Sequence, residues 1–164
     1  MTKLRPETAA DHLQAAEVHA LAWRRAYAGI LPGSALDALD PAEMAERRAG
    51  RAGDSLVAEQ DGRVVGFVNY GSYRGDESIG EIYAIYVHPD FWGTGIADAL
   101  FTAALDALPQ AEVRLWVLAE NQRAQRFYAR HGLSRDGETG TFRPRGTELG
   151  FPIARWTLVR GRQA

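Results

Sequence analysis

The segment Val87 to Leu100 reads V-H-P-D-F-W-G-T-G-I-A-D-A-L. Gly93 and Gly95 separate a strand-like run, Ile82 to Val87, from an apolar helical pattern. A glycine turn that opens a helix gathers several main-chain N–H groups at the positive end of the helix dipole. Such a place receives an anion, most often a phosphate. By itself G-x-G is also the spacing of a plain tight turn. Two phosphate-binding classes fit it poorly. In a dinucleotide fingerprint the glycines follow the strand directly, whereas here H-P-D-F-W intervenes and Asp98 holds the third position. A P-loop needs Gly-Lys-Ser/Thr, which is absent from the chain.

Other chemistry is thinner. The 164 residues include no cysteine, which excludes disulfides, thiolate nucleophiles and thiolate metal sites. His12 and His19 stand seven apart without an HExxH motif or a third ligand, so no metal is expected. His88 and His131 sit at element ends and read as solvated. Ser72 in G-S-Y-R-G is off-position for a nucleophile elbow. A net charge of -2 argues against a nucleic-acid partner. The local arginine clusters (Arg47, Arg48 and Arg51; Arg143 and Arg145; Arg155, Arg160 and Arg162) read as solvated faces. No run approaches the roughly 20 apolar residues of a membrane span, and the N-terminus lacks a signal-peptide core, so no membrane partner and a cytoplasmic location are expected.

The elements that must hold the glycine turn are legible from periodicity. Thr2 to Arg5 reads as a first strand. Thr8 with Asp11 resembles a capping box, opening a helix that runs to about Ala28. I-L-P-G reads as a turn. Asp40-Pro41 starts a second helix. Ser55 to Gln60 and Arg63 to Tyr70 flank Asp61-Gly62 as a β-hairpin. Glu81 to His88 is a strand, Gly95 to Leu108 a helix with Leu100, Ala104 and Leu108 on one stripe, and Glu112 to Leu118 a strand. Asn121 to His131 is a helix with an Asn cap. Stretches around Thr139 to Phe142 and Glu148 to Val159 close the chain. The length suits one domain, residues 1–164. The order implies an α+β fold with a mixed, mostly antiparallel sheet of six to seven strands. Only the unit from Glu81 to Leu118 must hold a parallel strand pair.

Val87, Pro89, Gly93, Gly95 and Ala97, followed by N-Q-R-A-Q-R-F-Y-A-R-H-G from Asn121 to Gly132, resemble the GNAT family, the GCN5-related N-acetyltransferases. Members carry V-x-P-x-x-(Arg/Gln)-G-x-G-x-(Gly/Ala) and then N-x-x-A-x-x-F-Y-x-x-x-G. The chain departs at one place: Trp92 occupies the Arg/Gln position. The resemblance implies helices on both faces of the sheet and acetyl-coenzyme A as cosubstrate. The pyrophosphate would lie on the turn Trp92, Gly93, Thr94, Gly95, Ile96 and Ala97. The pantetheine arm would lie along Ile85, Tyr86 and Val87, in a gap where this strand splays from the next. An oxyanion donor would come from a main-chain N–H near Ile85 or Tyr86, and Asn121 would also touch the cofactor.

The implied reaction is direct transfer of an acetyl group to a primary amine in a ternary complex. Glu81 is the candidate base, on a strand face shared with Tyr83, Ile85 and Val87. Tyr128 is the candidate acid, seven residues and about two helical turns after Asn121. Trp23 and Tyr27 are candidates for lining the acceptor pocket, with Trp23 leaning to core. Trp116 reads as packing. The acceptor, a small-molecule or peptide amine, would be set by the first two helices, the connection from Tyr70 to Glu77 and the last hairpin near Thr139 to Glu148. A homodimer is common in the family. A non-catalytic acyl-coenzyme A sensing module is the alternative function.

Overall fold

The computed structural model describes residues 1–161. Its elements are β1 (Lys3–Pro6), α1 (His12–Ala26), α2 (Gly33–Asp37), α3 (Pro41–Ala49), β2 (Asp54–Gln60), β3 (Arg63–Tyr73), β4 (Asp76–Val87), α4 (Ile96–Ala107), β5 (Glu112–Leu118), α5 (Gln122–Arg130), β6 (Ser134–Phe142) and β7 (Phe151–Val159). The strands form one sheet of seven in the order β1-β2-β3-β4-β5-β7-β6. Only β4 and β5 run parallel; every other neighbouring pair is antiparallel. The fold is thus the expected α+β class, with helices on both faces.

Local chemistry explains the elements. The Asp40 carboxylate accepts from Ala42 N–H at 3.0 Å and Pro41 is the first residue of α3, so a capped start is in place. Asp61 (φ 51°) and Gly62 (φ 77°) both lie in the left-handed region, the signature of a tight two-residue hairpin turn. Along α4 the stripe Leu100, Ala104 and Leu108 is buried, and it packs on Val68, Ile82 and Leu115 of the sheet. On the opposite face Ala15 and Val18 of α1 meet Val57 and Phe67. Full burial of such side chains stabilises by about 1.5–3 kcal/mol each, so the two stripes fix the sheet between them.

Several local expectations need correction. A short helix, Gly33–Asp37, follows the expected I-L-P-G turn and was not anticipated. The connection from Tyr70 to Glu77 is no loop: β3 continues to Tyr73, β4 starts at Asp76, and Gly75 (φ 83°) closes a tight turn. Strand β6 begins at Ser134, ahead of an irregularity between Arg135 and Thr139. The arginines are not all solvated. Arg48 is buried, with Glu7 bound at 2.8 and 2.7 Å and its guanidinium 4.2 Å above the Phe67 ring. Arg155 pairs with Asp136 at 2.6 Å. Arg160 closes the end of α4 by donating to Leu105 O and Leu108 O, while Arg162 lies outside the described residues.

Candidate active site

Strand β4 changes partners halfway along. Gly80 and Glu81 pair with Val113 and Arg114 of β5, and beyond them no pairing joins the two strands. Ile82 to Val87 and Leu115 to Leu118 diverge and leave an opening in the middle of the sheet. On its other edge β4 stays paired with β3 up to Val87. His88 N–H donates to Val65 O at 2.8 Å. In an antiparallel ladder the bonded positions alternate, so Tyr86 and Ala84 also turn their amide groups to β3. The N–H and C=O of Ile85 and Val87 therefore face the opening. Of the main-chain N–H groups of Ile85 and Tyr86, that of Ile85 is the one turned toward the opening. The Val87 carbonyl already accepts from Trp92 Nε1–H at 2.8 Å, which ties the glycine turn to the strand.

A register shift between Asn69 and Tyr70 puts a bulge opposite them in β4. One extra residue re-aims everything after it. Ile82, Ile85 and Val87 pack toward α4, while Ala84 and Tyr86 pack toward α1. Glu81 therefore does not share a face with Ile85 and Val87, as plain alternation predicted. Glu81 is buried, and burial raises its carboxyl above the usual range against the pull of Arg74. It does not line the cavity described next; Tyr83 does, and burial first, then the Glu81 charge, raises the Tyr83 phenol.

The opening continues into a cavity of about 850 Å³, within the size range of small-molecule sites. One end is the glycine turn. Gly93 (φ 77°) and Gly95 (φ 87°) both adopt left-handed backbone, and a Cβ on either would meet open space. Glycine is used here for its φ, not for room. The first bond inside α4 runs from Ala99 N–H to Gly95 O at 3.0 Å. The N–H groups of Ile96, Ala97 and Asp98 precede it and have no partner within the helix. The Arg123 guanidinium lies 3.6 Å from the centre of the Trp92 ring, and both line the cavity. Asp98 accepts from or pairs with His131 Nε2 at 2.8 Å and stands 3.6 Å from Arg130. His131 also packs on Phe101 and Phe127, so it is engaged and not merely solvated.

The middle of the cavity is phenolic. Asn121 caps α5 through Ala124 N–H at 3.1 Å and is itself buried. Tyr128 follows on the same side of α5 and lines the cavity. The Tyr27 and Tyr86 hydroxyls are 3.4 Å apart. Burial raises all three phenols, Tyr27, Tyr86 and Tyr128, so each stays protonated at neutral pH. The far end is aromatic. Trp23 meets Tyr27 edge-on at 5.1 Å and Phe142 at 5.8 Å, with Trp116 and Ile153 on the same wall. His19 stacks on Tyr86 at 4.6 Å, and burial pushes it down to about 3. Among the described residues no group of three His, Cys, Asp or Glu is placed to hold a metal.

Of the residues singled out in the sequence, the cavity gathers Trp23, Tyr27, Ile85, Tyr86, Val87, Trp92, Gly93, Gly95, Ala97, Asn121 and Tyr128. Thr94 and Ile96 lie in the same turn; Thr94 Oγ1–H donates to Phe91 O at 2.5 Å, and Ile96 is buried in the core. Arg123 and Trp116 were missed as site residues, while Phe142 belongs to the last hairpin, expected to help set the acceptor. For Arg123 the signal was present: it lies two residues after Asn121, on the first turn of the helix whose cap faces the cavity.

The site thus combines a half-open parallel strand pair with an unpartnered helix start at its mouth, a place that suits an anion. The sequence profile of the acetyltransferase (GNAT) family matches residues 15–133, and the chain belongs to that family. A probable N-acetyltransferase of Mycobacterium tuberculosis is 28% identical over 148 residues, 87% of this chain and 85% of the relative. An uncharacterised N-acetyltransferase of Mycobacterium bovis is 43% identical over 91 residues; the match spans 54% of this chain and 56% of that relative, about half of each. The fold is shared with the PaiA N-acetyltransferase of Thermoplasma acidophilum, solved with coenzyme A (TM-score 0.74, 18% identity, 97% of this chain and 99% of the other). It is also shared with a GCN5-related N-acetyltransferase structure from Rhodopseudomonas palustris (TM-score 0.76, 23% identity, 97% and 96%). Among the described residues no helix is long and apolar enough to cross a membrane.

Proposed function

We propose that the chain is an N-acetyltransferase that moves an acetyl group from acetyl-coenzyme A to a primary amine by direct transfer. The observation that carries this reading is the opening between β4 and β5, continuous with the unpartnered N–H groups of Ile96, Ala97 and Asp98. The turn would take the pyrophosphate, with Trp92 as a floor and Arg123 above it. The arm would run along the free edge of Ile85 and Val87, which supplies both a donor and an acceptor for its amides. The thioester then comes to rest between the Ile85 N–H and the phenols. The solved relative with coenzyme A supports the cosubstrate.

Each chemical demand has a group to meet it. As the amine nitrogen attacks the thioester carbon, negative charge builds on the carbonyl oxygen, and Ile85 N–H points where it develops. The C–S bond then breaks, and Tyr128 donates a hydrogen bond to the departing sulfur. Its pKa lies above the roughly 8.5 of a free thiol, so it stabilises the thiolate without surrendering its proton for good. The proton lost by nitrogen balances the sulfur, giving an amide and a free thiol. Glu81 is one remove from the cavity, and we assign it to taking the amine proton through a water beside Tyr83.

Thiol release with a panel of amines, combined with calorimetry of acetyl-coenzyme A binding, tests the reading. Binding with release, and intersecting initial-velocity patterns, are expected. Binding without release for every amine makes the chain a sensing module. Parallel patterns or a trapped acetyl-enzyme contradict direct transfer.

A further inference from the structure

Strand β4 carries one residue that its ladder with β3 does not use. Asn69 pairs with Ala84 and Tyr70 with Ile82, so Tyr83 is the extra residue of the bulge and has no partner on β3. A bulge frees a side chain from plain alternation and re-aims it. Here the Tyr83 ring lies over β3. A Cβ on Gly71 would stand 2.8 Å from Tyr83 Oη and 3.1 Å from its Cε2, and a Cβ on Gly53 would stand 2.9 Å from the same Cε2. A side chain at either position would collide with the ring, so both glycines are used for room. The phenol donates to Ser72 O, which fixes the ring in this cradle.

The cradle has a specific neighbour. Gly71 is the cross-strand partner of Glu81, so a ring over Gly71 stands beside the Glu81 side chain, on the sheet face away from α4. Tyr83 lines the cavity and Glu81 does not. The partner of Glu81 on the other side, Arg114 of β5, is engaged elsewhere. Its guanidinium is bound to Glu112 at 2.8 Å and lies 4.9 Å from the centre of the Tyr73 ring, and its charge also acts on Asp76. Arg155 of β7 is held by Asp136 and the Tyr73 hydroxyl. From the β3–β4 turn the Arg74 charge and main-chain N–H act on the Glu81 carboxylate, but burial outweighs them. The bulge, two glycines and the Ser72 carbonyl thus all serve to place one ring beside one buried carboxylate.

We propose that Tyr83 is a positioning residue for the acetyl transfer, the reading on which this inference rests: its ring, held back over Gly53 and Gly71, is the wall that keeps Glu81 out of the cavity and out of bulk water. A carboxylate kept from water holds a proton more firmly, so opening the wall makes Glu81 a weaker base. The test is a carboxyl-carbon NMR titration of the isotope-labelled full chain, with the Glu81 signal identified by its loss in Glu81→Gln; it needs no acceptor. In the wild-type chain the midpoint should lie above the ordinary range of glutamate. Tyr83→Ala should move it to lower pH by at least about 0.5 unit, or about threefold in the ratio of protonated to ionised carboxyl. Tyr83→Phe keeps the ring and should stay within about 0.2 unit of wild type. Tyr83→Ser repeats the opening should the alanine variant not fold. A midpoint unmoved in the opened variants, or moved as far by phenylalanine as by alanine, overturns the proposal. With the amine that releases most thiol, the acid limb of kcat should move to lower pH by the same amount as the carboxyl midpoint, with KM for acetyl-coenzyme A within about twofold. A limb that stays in place while the midpoint moves also overturns it. Release of thiol with no amine at all would instead sink the transfer reading, and the carboxyl titration would still decide whether Tyr83 is the wall.

Discussion

The two ends of the cavity are built from different material. At the glycine turn the polar groups are main chain: the amides of Ile96, Ala97 and Asp98, presented by backbone at φ 77° and 87°. At the aromatic end the surface is side chain, brought together from α1, β5, β6 and β7. A main-chain receptor needs no residue identity beyond glycine where φ is positive, so one such end serves a whole family with one cosubstrate. A side-chain pocket changes with any of its contributors, so it can differ between members. The first end reads as common property and the second as this chain's own specificity.

The comparison can be broken in several ways. Tyr128 stands where the ends meet, and Tyr128→Phe removes a donor without changing shape. We expect kcat to fall about 100-fold, as for loss of a donor used in the transition state, with acetyl-coenzyme A affinity within threefold. Single-turnover kinetics and calorimetry separate the two effects, and unchanged turnover removes Tyr128 from the chemistry. Gly95→Val attacks the main-chain end. A β-branched residue forced into the left-handed region costs roughly 1–2 kcal/mol, so acetyl-coenzyme A binding should weaken about tenfold. Gly95→Asn, which tolerates that region, should lose less; equal losses would mean that space matters more than φ.

Arg123→Ala tests a cationic side chain at the main-chain end. Binding should weaken about threefold to tenfold at low salt and less at high salt. No change would leave the stack on Trp92 as packing alone.

The smallest effect lies at the aromatic end. Burial pushes the His19 imidazole down to about 3 in the folded chain, against about 6.5 when unfolded. Between these values the unfolded chain holds more protons, so folding stability falls as pH drops from about 6.5 toward 3, by at most about 1.4 kcal/mol per unit. Urea titrations at pH 7.5 and 5.5 check this: His19→Phe should flatten the difference, and an equal slope in both proteins contradicts it.

Legibility in the sequence follows the same division. Periodicity and caps placed nearly every element, because Asp40, Asp61-Gly62, Asn121 and the α4 stripe act within a few residues of themselves. The glycine turn was readable for that reason. The bulge opposite Asn69 and Tyr70 was not, since nothing in the alternation of β4 marks it, and it moved Ile85 and Val87 off the face assigned to Glu81. Arg48 looked solvated because its partner, Glu7, lies 41 positions away. Trp116 and Phe142 belong to the wall only because β6 and β7 fold back beside β5.

The central claim is that the cosubstrate lies on the free edge of β4 and on the start of α4. Titration of the isotope-labelled chain with acetyl-coenzyme A, followed by amide NMR, addresses it residue by residue. The account predicts the largest shifts at Gly93 to Asp98 and at Ile85 and Val87, with smaller ones at Ala84 and Tyr86, whose amides face β3. Saturable binding with shifts confined to other residues, or with Ala84 and Tyr86 perturbed more than Ile85 and Val87, would contradict it.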